Sequence, residues 1–219
     1  MQFYGYRFAA LLLLSGSLLH GQAFTVAPGL TITNGSVPWA LDEFHGKPQL
    51  VPIHHSTIEF NNHKGANVAG SLAGSFFYKP KMTTELAGLH ARTVLHLTQP
   101  SIYVHSIDDP EPGGESAASN TMVWAIVRAT LAKDRRVFAK VQFTQLTGNA
   151  RRTDGLLETT AETLPGGWIK LTPKGALEPG EYAVTPIMKT QNTFSTVIYD
   201  FTLDPNAANA ADAVLPSAN

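Results

Sequence analysis

The chain has 219 residues, of which 16 are lysine or arginine, 17 are aspartate or glutamate and none is cysteine. Charged residues make up 15% of the chain, against about 25% in an ordinary globular domain. The near-neutral balance excludes a general attraction to nucleic acid, and the lack of cysteine excludes disulfides, thiolate metal sites and thiol catalysis.

The first residues are typical of a signal peptide, and we assign residues 1–23 to it. Residues 1–7 carry one positive charge, and a short apolar run follows at Phe8–Leu19. Gly21 and Ala23 match the small residues that precede a signal-peptidase cleavage site. The run is shorter than the roughly 20 apolar residues that span a bilayer. We therefore expect cleavage after Ala23, no transmembrane segment in the mature chain, and a periplasmic or extracellular location.

Three further segments follow the signal peptide. Residues 24–49 mix short apolar pieces with glycine and proline, which predicts an N-terminal arm or an extra hairpin, with one short helical turn at Pro38–Phe44. Residues 50–204 are expected to form the β-sandwich domain. Residues 205–219 are rich in alanine and asparagine and have no periodicity, so we expect a disordered tail.

Short apolar runs that alternate with turn residues indicate strands. The clearest pattern is a run apolar on both faces at residues 122–131, which is expected to lie centrally in its sheet. The polar turn Lys133–Arg136 follows, and then an alternating strand whose apolar face includes Val137 and Ala139 but not Phe138. Further strands are predicted at Ser101–His105, Leu156–Thr163, Trp168–Thr172, Glu181–Ile187 and Phe194–Leu203. Together these runs predict an all-β fold, an immunoglobulin-like or related antiparallel β-sandwich.

The most specific local pattern is the segment Leu177–Ala183, which reads L-E-P-G-E-Y-A. Pro179 and Gly180 favour a tight turn, because proline presets φ and glycine accepts positive φ. A tyrosine just after such a turn can donate its hydroxyl hydrogen to upstream backbone, as in the tyrosine corner of sandwich domains. We therefore interpret Tyr182 as a structural residue and not as part of a site.

The same segment carries a resemblance. The pattern L-x-P-G-E-Y-A, the later Val197–Phe201 with its Y-D-F sequence, and the Lys133–Arg136 hairpin resemble a group of uncharacterised exported bacterial proteins that share a domain of unknown function. The resemblance covers about residues 85–204 and rests on turn and strand motifs. It implies a β-sandwich and export, and it implies no catalytic residue.

The sequence contains no familiar catalytic motif. It has no G-x-S-x-G, no H-E-x-x-H, no EF-hand loop and no P-loop. Four acidic residues lie in the Pro/Gly-rich run 107–116, but their spacing matches no calcium loop, so a solvated acidic turn is the simpler interpretation. We expect no catalytic residue and no bound cofactor.

Histidine is unevenly distributed, because seven of the eight lie within residues 45–105: His45, His54, His55, His63, His90, His96 and His105. A turn at Gln99-Pro100 favours a hairpin in which His96 faces His105 and Val94 faces Ile107. Opposed residues have Cβ atoms about 5 Å apart, so this register makes His96 and His105 a candidate metal-binding pair. Two imidazoles fall short of the three or four ligands that zinc prefers, and strand histidines with no ligand role are the alternative.

Three functions stay open on these grounds. The first is an exported, non-enzymatic interaction or envelope-associated module, whose partner is an unknown protein or envelope polymer. The second is a periplasmic metal-handling protein that uses His96 and His105, with His54 or His55. The third is a hydrolase on a sandwich scaffold, which needs a concave cluster of aspartate, glutamate and histidine.

Export gives the first testable prediction. Expressed in a bacterium with a signal peptidase, the full chain should yield a mature protein that begins at Phe24, because small residues at Gly21 and Ala23 fit the peptidase. Intact-mass measurement of the periplasmic and medium fractions checks this. An Ala23→Arg variant is the control and should remain a precursor. Wild-type protein that keeps residues 1–23 would contradict the prediction.

Overall fold

The computed structural model describes residues 23–61, 81–106, 122–143, 150–188, 193–194 and 197–217. The predicted signal peptide up to residue 22, the acidic run 107–116 and His63 lie outside these ranges. Within them the chain forms 18 strands and one 3₁₀ turn, with no α-helix. No helix in this part of the chain is long and apolar enough to cross a membrane.

The strands follow one another closely. They are β1 (Phe24–Ala27), β2 (Leu30–Ile32), β3 (Trp39–Phe44), β4 (Lys47–Pro52), β5 (His55–Thr57), β6 (Glu59–Asn61), β7 (Lys81–Ala87), β8 (Thr93–Leu95), β9 (Ser101–His105), β10 (Met122–Arg128), β11 (Thr130–Ala132), β12 (Arg135–Phe143), β13 (Ala150–Leu156), β14 (Thr159–Thr163), β15 (Trp168–Pro173), β16 (Gly180–Met188), β17 (Thr193–Phe194) and β18 (Val197–Leu203). The 3₁₀ turn, Pro165–Gly167, connects β14 to β15.

The strands form two large sheets and a hairpin. The five-stranded sheet has the order β14-β15-β9-β3-β4, and the eleven-stranded sheet follows the path β5-β18-β16-β10-β13-β12-β7-β6. Three short strands branch from that path, β11 on β12, β17 on β16 and β8 on β18, while β1 pairs with β2. β8 runs parallel to β18, and the other pairings within these sheets are antiparallel. The expected all-β sandwich of antiparallel sheets is confirmed.

The eleven-stranded sheet folds over at β13. Residues 150–154 of this strand pair with β12, whereas Gly155 and Leu156 pair with β10. A β-carbon at Gly155 would collide with the carbonyl oxygen of Arg128, so the close approach requires glycine. The sheet is thereby divided into an inner half, β5, β8, β10, β16, β17 and β18, and an outer half, β6, β7, β11 and β12.

Three apolar clusters hold the layers together. The first core lies between the five-stranded sheet and the inner half and includes Val51, Ile102, Ile126, Val184 and Phe201. The second core lies between the inner and outer halves and contains Leu86, Val127, Phe138, Ala183 and Ile198. The third core lies under the β1–β2 hairpin and contains Leu30, Ile32, Leu50, Tyr103 and Trp168. Each large apolar side chain buried in this way contributes roughly 1.5–3 kcal/mol.

The inner half has a core on each face. Ile126 of β10 belongs to the first core and its neighbour Val127 to the second, because successive side chains of a strand point to opposite faces. This explains why residues 122–131 are apolar on both faces. Their predicted central position is confirmed for β10, which pairs with β16 on one side and β13 on the other. The end of that run is the separate strand β11, which forms the predicted hairpin with β12.

Three local predictions are wrong. Trp39–Phe44 is the strand β3 and not a helical turn, since it pairs with β4 and β9. A bulge in the pairing of β12 with β7, between Val137 and Ala139, interrupts the predicted alternation, so Phe138 lies in the second core and Ala139 beside it is buried too. Leu156–Thr163 is not one strand, because β13 ends at Leu156 and β14 begins at Thr159. The short-range patterns carry no information about a bulge or about which sheet a strand joins.

The segments that flank residues 50–204 are also part of the packed structure. Within residues 24–49, the predicted arm or extra hairpin, β1 and β2 form a hairpin and β3 is an interior strand of the five-stranded sheet. In place of the expected disordered tail, Val214 exchanges two backbone hydrogen bonds with Leu50 of β4, of 2.9 and 2.8 Å. The Ser217 N–H donates to the carbonyl oxygen of Gly29 at 3.0 Å. Small side chains allow this segment to lie close along β4, although its composition alone predicts disorder.

The predicted corner at Tyr182 is confirmed. Its hydroxyl donates to the carbonyl oxygen of Glu178 at 2.6 Å, across the turn that Gly180 closes with a φ of 154°. The ring stacks on Phe201 with 5.5 Å between centroids. Burial raises the pKa of Tyr182, which keeps the hydroxyl protonated as a donor.

The corner bond gives a prediction about stability. Tyr182→Phe should lower the free energy of unfolding by about 1–2 kcal/mol, because it removes one hydrogen bond and leaves a carbonyl oxygen without that donor. Urea denaturation measures the change. Tyr199→Phe is a matched control, since its hydroxyl makes only an exposed 3.4 Å contact with the Ser36 carbonyl oxygen. Equal losses in the two variants would contradict the assignment.

Candidate functional site

Asp42 and His96 form the histidine–carboxylate pair most deeply enclosed in the part of the chain that the structure describes. Asp42 lies on β3, and His96 directly follows β8. The His96 Nδ1 is 2.7 Å from the Asp42 Oδ2. The backbone N–H groups of His96 and Leu97 donate to Asp42 Oδ1 at 2.9 and 2.8 Å. One carboxylate therefore attaches the end of β8, in the inner half, to the five-stranded sheet.

The polar contacts continue through Gln49 to the C-terminal segment. Gln49 lies opposite Asp42 in the β3–β4 pairing, and its side chain is fully buried. Its Nε2 donates to Asp42 Oδ2 at 3.1 Å and to Asn209 Oδ1 at 2.7 Å. We call these four residues, His96, Asp42, Gln49 and Asn209, the Asp42 network. It connects the inner half, the five-stranded sheet and the residues that follow β18.

In the Asp42 network the histidine and the carboxylate are oriented as in some active sites, but the histidine is not accessible to a substrate. A carboxylate on Nδ1 holds a histidine ring as in a serine-hydrolase triad, which leaves Nε2 to act on a proton. Here the His96 side chain is 5% exposed and that of Asp42 0%, and the Phe44 ring lies 4.8 Å from the His96 ring. His96 Nε2 and Gln49 Oε1 are buried without a hydrogen-bond partner among the described residues. A general base must come within about 3 Å of its substrate, and an enclosed ring does not.

His105 has different surroundings. It lies at the end of β9, with its ring edge-on to Trp168 at 5.2 Å between centroids. Its Nε2 is 3.0 Å from the carbonyl oxygen of Gly166, and its Nδ1 is 3.2 Å from that of Ser106. Both ring nitrogens face carbonyl oxygens, whereas a metal ligand must direct a free lone pair at the ion. His105 therefore anchors the 3₁₀ turn before β15.

The structure does not bring His96 and His105 together in the predicted hairpin. β8 pairs in parallel with β18, so Val94 lies beside Thr202. β9 pairs with β15, so His105 lies beside Trp168. The predicted register is wrong because the Gln99-Pro100 turn carries the chain from one sheet to another. The proposed partner of Val94, Ile107, lies outside the described residues.

The other described histidines also have individual partners. His54 pairs with Asp212, and His90 Nδ1 is 2.9 Å from Glu181 Oε1. The ring of His45 stacks on its neighbour Phe44, and His55 meets Tyr199 edge-on. Within the described ranges, no three histidine or acidic side chains come together as a metal site would require. The six described histidines of the sequence cluster are therefore not clustered in space.

A second buried polar cluster joins the two halves of the eleven-stranded sheet. Arg136 of β12 is 3% exposed; it pairs with Asp200 of β18 and lies 3.7 Å from Glu181 of β16. The guanidinium also donates to the carbonyl oxygens of Gly88 and Ala87, both at 3.2 Å. We call Arg136, Asp200 and Glu181 the Arg136 network. Buried charges of this kind persist only when they are paired and hydrogen-bonded.

Hydrogen-bond donors around the two carboxylates complete the Arg136 network. The Ser56 hydroxyl donates to Asp200, and the Thr202 hydroxyl donates to Glu181 at 2.9 Å. The Ala91 N–H also donates to Glu181, at 3.0 Å. Sequence reasoning missed this cluster because it assigned Arg136 to a solvated turn. The available signal was its spacing of two from Phe138, which places both side chains on the same face of β12.

No family model matches the chain, and no curated protein matches it either. The resemblance carried by Leu177–Ala183 and Val197–Phe201 therefore stays a prediction.

The Asp42 network gives a prediction that separates a structural from a catalytic role. Asp42→Ala should lower the free energy of unfolding by about 3–5 kcal/mol, because buried donors lose their acceptor. Urea denaturation followed by tryptophan fluorescence measures the loss. Asp134→Ala is the control and should change stability by less than about 0.5 kcal/mol, since that side chain is 86% exposed. An Asp42→Ala protein as stable as the wild type would contradict the structural role.

Proposed function

We propose that this chain is an exported, non-enzymatic β-sandwich that acts as an interaction or envelope-associated module. The observation that carries the proposal is that the Asp42 network is buried between the layers. Its histidine and carboxylate have the mutual orientation that acid–base catalysis uses, yet both are enclosed between layers. These buried groups serve packing, which favours the surface as the place where function resides.

Two features support export. Strand β1 begins at Phe24, the first residue after the predicted cleavage site. The Phe24 ring packs 5.9 Å from Trp168 and 6.0 Å from Tyr103, so cleavage after Ala23 would leave this packing intact. A chain with no cysteine also forms no disulfides under the oxidising conditions outside the cytoplasm. Its three apolar cores provide the stability that disulfides give many secreted proteins.

The two alternatives have less support. Metal handling by His96 and His105 loses its geometric basis, because each imidazole has a separate structural partner. Hydrolysis by the Asp42 network would require an accessible base, and His96 is not accessible. The metal-handling alternative predicts saturable metal uptake, and the hydrolase alternative predicts substrate turnover.

An envelope-binding assay tests the proposal. Protein comprising residues 24–219 is immobilised and exposed to a solubilised envelope fraction. We expect a protein or polymer to be retained by the folded surface and to be eluted by free mature protein in excess, because specific sites saturate whereas non-specific adsorption does not.

The same protein immobilised after thermal unfolding is the control for adsorption to exposed apolar surface. Equal retention on folded and unfolded protein would contradict the proposal. Stoichiometric zinc or copper uptake by chelator-treated protein would favour the metal-handling alternative instead, and turnover of a hydrolase substrate would favour an enzyme.

A further inference from the structure

The two edges of the five-stranded sheet are treated differently. The edge strand β4 is covered by the C-terminal segment through the paired hydrogen bonds of Leu50 and Val214. At the opposite edge, β14 pairs with β15 on one side and with no other described strand. Residues 160–163 are exposed. β14 therefore presents an open row of backbone groups to solvent.

The pairing with β15 determines which backbone groups are open. Leu164 donates its N–H to Trp168, and Lys174 donates to the carbonyl oxygen of Glu158, at 2.8 and 2.9 Å. In an antiparallel pair, the residues whose N–H and C=O point at the partner alternate along the strand. Glu158 and Leu164 thus define the inward set, to which Thr160 and Glu162 also belong. The N–H and C=O groups of Thr159, Ala161 and Thr163 therefore point away from β15.

The open edge lacks the features that prevent strand pairing. Natural edge strands are protected by lysine, proline, bulges or a covering segment. β14 reads T-T-A-E-T and pairs with β15 in an unbroken register from Thr159 with Pro173 to Thr163 with Ile169. Threonine favours strands, and the only charge is that of Glu162. Such an edge accepts another strand.

We propose that β14 is a homotypic docking edge, at which two copies of this chain pair antiparallel about Ala161. In that register Ala161 faces Ala161 of the second copy, and Thr159 faces Thr163 of the second copy at both ends. All three are outward-pointing residues, so the pairing forms about six hydrogen bonds between copies. The two five-stranded sheets then become one continuous sheet. The inference rests on the proposed function in that it names a partner for the interaction module.

The charge pattern favours a second copy in this register. Glu162 faces Thr160 of the second copy and not another carboxylate, and opposed threonines pair favourably in sheets. Within each chain Glu162 lies beside Lys170 of β15, which supplies a balancing positive charge. A pairing centred on Glu162 would place two carboxylates opposite each other and is disfavoured. The strand is thus self-complementary about Ala161.

Proline substitution tests the inference with little effect on the fold. Ala161→Pro removes an outward N–H while leaving the β14–β15 hydrogen bonds intact, which is where an edge strand tolerates proline. Ala161→Val is the matched control, because it keeps the N–H and favours a strand. Sedimentation equilibrium of residues 24–219 should show a concentration-dependent dimer. The proline variant should weaken it at least about 10-fold, and the valine variant should not.

Cysteine substitution tests the register independently. The chain has no cysteine of its own, so an introduced thiol has only its copy as a partner. Directly opposed residues have a suitable Cα separation for a disulfide, about 5.5 Å. Under mild oxidation Ala161→Cys should form a covalent dimer readily, and Thr160→Cys, whose counterpart is Glu162, should form it several-fold more slowly.

The outcomes separate this inference from the proposed function. A wild-type protein that stays monomeric, a dimer unaffected by Ala161→Pro, or equal disulfide formation by the two cysteine variants overturns the docking edge. If a foreign strand and not a second copy uses β14, the protein is monomeric and its envelope retention is lost in Ala161→Pro, which also overturns the homotypic pairing. Envelope retention by a monomer would leave the proposed function standing.

Discussion

Arg136 meets Asp200 and Glu181 between the two halves of the folded-over sheet, and the packing of the middle layer depends on that contact. Strands β16 and β18 have a core on each face, and the Glu181 and Asp200 side chains that they carry are almost inaccessible to water. A carboxylate in such a layer needs a cation from the layer above it. The outer half supplies this cation, and it therefore cannot separate from the inner half without removing Arg136 from both carboxylates.

The same arrangement recurs on the other side of the inner half. Asp42 connects the five-stranded sheet to the end of β8, and His54 pairs with Asp212 to hold the C-terminal segment. In each case a buried or half-buried polar pair crosses from one layer to the next. The apolar cores bring the layers together without preferred direction, whereas these pairs accept only one alignment. In a chain without disulfides, they specify how the layers are placed.

Much of the fold is local enough to predict from the sequence. Strand β9 has its predicted bounds, β10 is central as its two apolar faces indicate, and Tyr182 bonds to Glu178. Errors arise where a tertiary partner decides the outcome. A bulge opposite β7 breaks the alternation at Phe138, and Val214 is held by hydrogen bonds to Leu50. The Gln99-Pro100 turn is correct as a turn, but no short-range pattern shows that it joins two sheets.

The hydrogen bond between Ser217 and Gly29 has a consequence for the order of folding. It joins positions 188 residues apart, and the contacts of Asn209 with Gln49 and of Asp212 with His54 span 160 and 158 residues. Closing such long loops costs conformational entropy before the contacts form that offset this cost. Folds of this topology therefore form slowly. The five-stranded sheet cannot be completed before β15 has emerged, and the segment that covers its β4 edge comes later still. Because these contacts join the first and last described segments, the two segments close together only after the whole chain is available.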